Sequence, residues 1–159
     1  MEEVLPPQTM SGAGFELTRI RQFTVFLENR VGRLQGLLRA FEESAGKICA
    51  MSIEESADSA LVRIICSEPD LGRDALRSNG FSFSESELLA VELPPRTRQP
   101  LISICTALLA AEINIHYAYP LLVHPRNRAA VAMHIDNVEQ ASVTLHNMGF
   151  EVLCEADLA

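Results

Sequence analysis

The segment Asn29-Arg-Val-Gly32 combines residue types that can bind a small anion. It follows Phe23–Leu27, which has the two-residue apolar period of a strand, and precedes Leu34–Phe41, whose leucines and Phe41 have helical spacing. The first N–H groups of a helix lack backbone acceptors and lie at the positive end of its dipole. They can therefore bind an anion, and Gly32 would let it approach the backbone closely. The same residues could also form a plain strand-to-helix connection, which the residues alone favour.

Arginines are the other group with potential binding chemistry. Arg96, Arg98, Arg126 and Arg128 could form a patch for a phosphate or a partner protein. They lie in turn-like segments near prolines and acidic residues, however, and the interpretation as exposed loop charges is favoured.

No pattern predicts catalysis or metal binding. The four histidines include no pair with metal-ligand spacing, and the four cysteines are widely separated. Neither a nucleophile elbow nor a glycine-rich phosphate loop is present. We therefore expect that the protein is not an enzyme and uses no metal and no cofactor.

Composition restricts the partners. A formal net charge of −8 opposes binding to a nucleic-acid backbone. No apolar run approaches the ~20 residues of a membrane-spanning helix, and the acidic start, Glu2 and Glu3, does not resemble a secretory signal. We expect a cytoplasmic protein that binds neither nucleic acid nor membrane.

The first half predicts the order strand, helix, strand, strand, helix, strand. Gly46 suits the end of the first helix, and Ser67-Glu-Pro-Asp70 has the pattern of a second helix start. That helix is expected to stop at Asn79-Gly80. Phe81–Ser84 and Leu88–Leu93 then supply strand, as two segments that could meet end to end.

The second half repeats this order. Leu76-Arg-Ser-Asn-Gly-Phe81 matches Leu145-His-Asn-Met-Gly-Phe150 at an offset of 69 residues. Upstream, Leu34, Leu37 and Phe41 match Leu101, Ile104 and Leu108 at an offset of 67. Small changes of offset that fall in loops indicate duplication of one fold unit.

The repeated order predicts an α+β fold of two ferredoxin-like βαββαβ units, each with an antiparallel sheet and helices on one face. We assign residues 1–16 to a loose N-terminal arm, 17–86 to the first unit and 87–159 to the second. Exposed sheet edges favour joining of the units or pairing of two chains, so we expect a homodimer.

The chain resembles tandem ACT-domain proteins over residues 20 to 156. The resemblance rests on Asn29-Arg-Val-Gly32 before an apolar helix, on Glu112-Ile-Asn-Ile115, and on the Gly-Phe helix exits. It implies a regulatory module that binds amino acids at an interface between two domains. The family's turn usually has proline where this chain has Val31, and the corresponding second turn, Pro95–Pro100, lacks glycine.

The resemblance also implies a ligand site. Backbone N–H groups around Val31, Gly32 and Arg33 would bind the ligand carboxylate, with Arg30 nearby. Asn29 and Asn114 would accept from its ammonium group. The full set of residues implied is Asn29, Arg30, Val31, Gly32, Arg33, Leu34, Ser52, Asn114, Ile115 and Tyr117.

We therefore expect a non-catalytic regulatory protein that binds a free amino acid between ACT units. An unidentified metabolic enzyme or transporter would be its downstream partner. The alternative is an assembly subunit of a metabolic enzyme that has no small ligand.

Overall fold

A computed structural model describes residues 19–159, so the predicted arm at residues 1–16 lies outside the described residues. The first unit has the predicted order of strands and helices. Its elements are β1 (Arg19–Glu28), α1 (Arg33–Ser44), β2 (Ile48–Glu55), β3 (Ser59–Cys66), α2 (Pro69–Ser78) and β4 (Ser82–Glu92).

The second unit begins with the last part of β4. It continues through α3 (Pro100–Ala110), β5 (Ile115–Pro120), β6 (Ala130–Ile135), α4 (Val138–Asn147) and β7 (Val152–Leu153). Short 3₁₀ turns at Pro125–Asn127 and Glu155–Leu158 follow β5 and β7. The α+β class with two ferredoxin-like units is thus confirmed. Within residues 19–159 no helix is long and apolar enough to cross a membrane.

The seven strands of residues 19–159 form one antiparallel sheet, and β4 is the strand that unites it. The order is β2-β3-β1-β4-β6-β5, with β7 also paired to β4. Residues 82–89 of β4 pair with β1, whereas residues 89–92 pair with β6 on the other side. Apart from Phe81 and Leu93 at their outer ends, the two predicted segments, Phe81–Ser84 and Leu88–Leu93, are therefore parts of one strand. The boundary at residues 86 and 87 falls inside β4, and a division into domains there stays a prediction.

The helices cover the outer face of the sheet. Alternate residues of β1, such as Phe23 and Val25, pack with Phe41 of α1 in a core under α1 and α2. A second outer core, which includes Leu89 and Ile104, lies under α3 and α4. Each unit thus buries its own helix-facing surface, as the two-residue strand period and helical periodicity predict.

The inner face, away from the helices, forms a third core that both units share. Ile20 and Ile65 of the first unit pack there with Ala132 and Leu153 of the second. The backbone N–H of Leu122, just after β5, donates to the carbonyl oxygen of Cys49 in β2 at 2.7 Å. Since β2 and β5 end the strand order, the sheet curls until its two end strands approach each other.

A buried amide connects the two units inside this shared core. Gln22 of β1 is fully buried, and its Nε2 donates to Tyr117 Oη at 2.8 Å, Ser86 Oγ at 3.2 Å and Thr24 Oγ1 at 3.3 Å. Its Oε1 accepts from the hydroxyl of Tyr119 at 2.5 Å. A buried amide stays stable only while its donors and acceptors are paired, so this network specifies how the units face each other.

An ion pair adds a second connection at the edge of the shared core. Arg21 of β1 donates through Nε and Nη2 to the two carboxylate oxygens of Glu155, at 2.8 and 2.9 Å. Bidentate pairing of this kind fixes orientation as well as distance. The end of the second unit is therefore held against the first strand of the first.

Tyr119→Phe tests the Gln22 network. The substitution leaves Gln22 Oε1 buried without a donor, so we expect a loss of about 1–3 kcal/mol in the free energy of unfolding. Tyr117→Phe is the matched control, because Gln22 Nε2 keeps Thr24 and Ser86, and it should cost less than about 1 kcal/mol. Urea unfolding measures both. Equal losses in the two variants would contradict the assigned role of Tyr119.

Candidate functional site

The predicted turn Asn29–Gly32 is an exposed connection between β1 and α1. Asn29 Nδ2 donates to Glu55 Oε1 at 3.4 Å, and the backbone N–H of Arg33 already donates to the carbonyl of Arg30 at 3.2 Å. Gly32 has a φ of 86°, a left-handed conformation that favours glycine. The turn therefore needs Gly32 for its backbone geometry, independently of any ligand.

The remaining predicted residues occupy three different surroundings. Leu34 packs into the outer core of the first unit and Ile115 into that of the second. Ser52 lies opposite Arg63 in the β2–β3 pairing, and the guanidinium of Arg63 lies 4.0 Å from the ring centre of Tyr117. Ser52 and Tyr117 are thus brought together around Arg63.

The structure does not bring Asn29 and Asn114 together within one chain. The backbone N–H of Asn114 donates to Asp136, which fixes the position of Asn114 along the sheet. Leu89 of β4 pairs with Arg19 of β1 on one side and with Met133 of β6 on the other, so Arg19 and Met133 are level. Asp136 lies three residues beyond Met133. Asp136 is therefore level with residue 22 of β1, about 23 Å below Asn29 along the strand direction. A ligand bound between these asparagines would need two chains, and that arrangement stays a prediction.

Aromatic and charged side chains fill one end of the space between the units. The ring of Tyr117 stacks on His134 at 4.9 Å between centres, and His134 lies 5.2 Å from His116. Burial lowers the pKa of His134, and the neighbouring His116 and Arg63 lower it further, against an opposing effect of Asp136. A neutral imidazole suits this packing, so the cluster is interpreted as part of the contact between units.

A cavity of about 570 Å³ lies at the opposite end of the sheet from the Asn29 turn. Its walls come from three connections of the second unit: residues 93–97 after β4, Arg126 and Arg128 between β5 and β6, and residues 149–151 before β7. The volume is within the usual range for small-molecule sites. Residues 95–97, which belong to the second turn without glycine (Pro95–Pro100), thus line the cavity.

Glu92, the last residue of β4, is the carboxylate at the base of this cavity. The residue is only 7% exposed, and its Oε1 accepts from Arg128 Nε at 3.1 Å. Its Oε2 is buried and has no hydrogen-bond partner among residues 19–159, with Arg126 Nη1 4.0 Å away. An unpaired carboxylate oxygen is costly to bury, so an additional hydrogen-bond donor at Glu92 would stabilise the folded state.

Arginines surround this carboxylate. Arg126 has a left-handed backbone and donates to Asp157 at 2.9 Å, with Glu151 at 3.6 Å. Burial opposes ionisation of Asp157, but hydrogen bonds from Cys154 and Arg126 outweigh it and hold the Asp157 pKa below its usual value. Arg96 is exposed on the cavity wall and makes no ion pair within the described part of the chain. The cavity therefore offers both a carboxylate and guanidinium groups to a ligand.

Part of this cavity was recognisable in the sequence. The arginine patch considered at Arg96, Arg98, Arg126 and Arg128 contributes three of its four members to the walls. Glu92 was missed, although it follows Leu88 and Ala90 on the inner side of the strand, where a carboxylate is unusual. Glu151 was missed as well, because a charge after a Gly-Phe pair looks like an ordinary exposed residue.

Two units with this order and a common sheet define a paired α+β fold. A family model described as an ACT domain pair matches residues 18–159. The chain belongs to this family of ACT domain pairs, which are regulatory, non-catalytic modules related to amino-acid-binding regulatory domains. No match to this chain is found among the curated proteins.

Solved structures share this fold. The protein BT0572 from Bacteroides thetaiotaomicron has a TM-score of 0.78 and 26% identity, over 89% of this chain and 96% of its own. The ligand-free regulatory subunit of aspartate kinase from Thermus thermophilus has a TM-score of 0.53 and 11% identity, over 82% of this chain and 89% of its own. A structure of aspartokinase alpha and beta subunits has a TM-score of 0.52 and 15% identity, over 82% of this chain and 91% of its own. The two kinase similarities show the fold alone.

Arg128→Met tests the charge pairing at the base of the cavity. It leaves the Glu92 carboxylate buried with only the distant Arg126, so we expect a loss of about 1–3 kcal/mol in the free energy of unfolding. This expected loss is smaller than the loss for breaking a fully buried ion pair, because 43% of the Arg128 side chain is exposed.

The control is the same substitution combined with Glu92→Gln. Without the Glu92 carboxylate, Arg128→Met should reduce the free energy of unfolding much less. The two substitutions should therefore show a coupling energy of about 1 kcal/mol or more in a double-mutant cycle. Additive effects of the two substitutions would show that the pair is not energetically coupled.

Proposed function

We propose that this protein is a non-catalytic cytoplasmic regulator that binds a free amino acid. The ligand occupies the second-unit cavity, at one end of the sheet that the two ACT units share. The observation that carries the proposal is the Glu92 carboxylate, nine-tenths buried, with an oxygen that has no hydrogen-bond donor within residues 19–159. Membership of a family related to amino-acid-binding domains supports the same ligand class.

The charges of the cavity match the two ends of an amino acid. The ammonium group of the ligand donates to Glu92, and its carboxylate binds Arg96, the guanidinium on the cavity wall that has no ion pair among residues 19–159. Charge-assisted hydrogen bonds of this kind are roughly twice as strong as neutral ones. The apolar surface of Pro94 and Phe150 is available to the ligand side chain.

Binding would then act on the loops around the cavity. A ligand that contacts Glu92 and Arg96 connects the end of β4 to the segment leading into α3, and so favours one arrangement of that segment. Its regulatory effect is a shift of population toward the arrangement that binds it best. An unidentified metabolic enzyme or transporter would respond to that arrangement.

A thermal-shift screen with the common amino acids tests this proposal. A ligand present at 100 times its dissociation constant stabilises the folded state by about 2.7 kcal/mol. For a chain of this size we expect a rise of roughly 5–10 °C in Tm for at least one amino acid. Glu92→Gln should remove most of that rise, whereas Glu87→Gln, the same change on β4 outside the cavity, should preserve it.

The variants also discriminate between positions for the ligand. Loss of the shift in Asn29→Ala and Asn114→Ala, with the shift retained in Glu92→Gln, would place the ligand at the turn implied by the family resemblance. No shift with any amino acid at millimolar concentration would overturn the ligand proposal and favour the assembly subunit.

A further inference from the structure

Helix α3 presents an apolar face that nothing in the described part of the chain covers. Leu101, Ile102 and Leu109 are 53%, 60% and 76% exposed, and Cys105 beside them is also exposed. We propose that this face binds the same face of a second copy of the chain, with the two α3 helices antiparallel about a two-fold axis. This surface lies outside the cavity, and its formation needs no ligand.

The equivalent helix of the first unit, α1, has a polar outward face. At the repeat offset of 67 residues, Gln35 and Glu42 of α1 correspond to Ile102 and Leu109 of α3. Both α1 residues are exposed and polar. The two helices have the same place in the fold, yet only α3 has an apolar exterior, which distinguishes a contact surface from a solvated one.

The spacing of the face is self-complementary. Leu101 and Leu109 lie four residues before and four residues after Cys105, and Arg98 and Glu112 lie seven residues before and after it. In an antiparallel pair centred on Cys105, Leu101 therefore meets the partner's Leu109. Arg98, just before the helix, and Glu112, just after it, then lie at the same end of the pair as the partner's Glu112 and Arg98 respectively. A two-fold interface requires this correspondence, because each surface must fit itself.

The flanking charges favour the same pairing. Arg98 and Glu112 are exposed and make no ion pair within residues 19–159. Arg98 lies near the positive start of its own helix and Glu112 near the negative end, where each charge is unfavourable. Antiparallel pairing places each charge beside the opposite end of the partner helix, which is also the end that carries a residue of opposite charge. The partner that fits is therefore this chain itself.

The mass of the full chain in solution, measured by light scattering or sedimentation, tests the interface. We expect a dimer, and Leu109→Glu should shift it to a monomer. Leu71→Glu is the matched control, because Leu71 on α2 is half exposed outside the proposed face and should leave the dimer intact. A monomeric native chain, or a dimer that Leu109→Glu does not weaken, would overturn the proposal.

The register is tested by charge reversal and cross-linking. Arg98→Glu should raise the dimer dissociation constant about tenfold, and the added change Glu112→Arg should restore it. A short bis-maleimide should link two chains through Cys105 and fail to do so in Cys105→Ser. No cross-linking of the native chain would overturn the α3 pairing. That would be the result if residues 1–18 of the same chain, or another protein, covered this face.

Discussion

The continuity of β4 is the constraint on which the rest of the structure depends. One half of this strand pairs with β1 and the other half with β6 and β7. The two units therefore cannot rotate freely, as domains joined by a linker can. The curled sheet then buries Ile20, Leu88 and Ala132 in a single inner core. The two ACT units of this chain therefore form a single folded body, although the sequence repeats.

This constraint decides where binding can take place. The inner faces are occupied by the shared core, by the Gln22 network and by the stacked rings of Tyr117 and His134. Ligands and partners must therefore use the loops at the ends of the sheet or the outer faces of the helices. The second unit carries both features, the cavity at Glu92 and the apolar face of α3. The first unit has instead a polar α1 and a turn that is hydrogen-bonded within itself.

Local sequence patterns predicted the elements well, for physical reasons. Strand period and helical spacing depend on which face of an element is buried. Both patterns are visible in the sequence because the helices of each unit pack on the strands of the same unit. The repeat identified the second unit even though its turn lacks glycine. Long-range register was not predictable in the same way. The polar residues Ser82, Ser84 and Ser86 interrupt the apolar pattern of β4, so its two ends looked like separate strands. The separation of Asn29 from Asn114 also follows from pairing through β4, which no local pattern encodes.

Native-state hydrogen exchange along β4 tests the central claim that the two units form one cooperative body. If they do, the protected amides of both halves of β4 exchange with the same free energy, equal to that of global unfolding. That single value is what the shared strand and inner core predict. Two distinct values, one for the half paired with β1 and another for the half paired with β6, would show that the units unfold independently and would contradict this account.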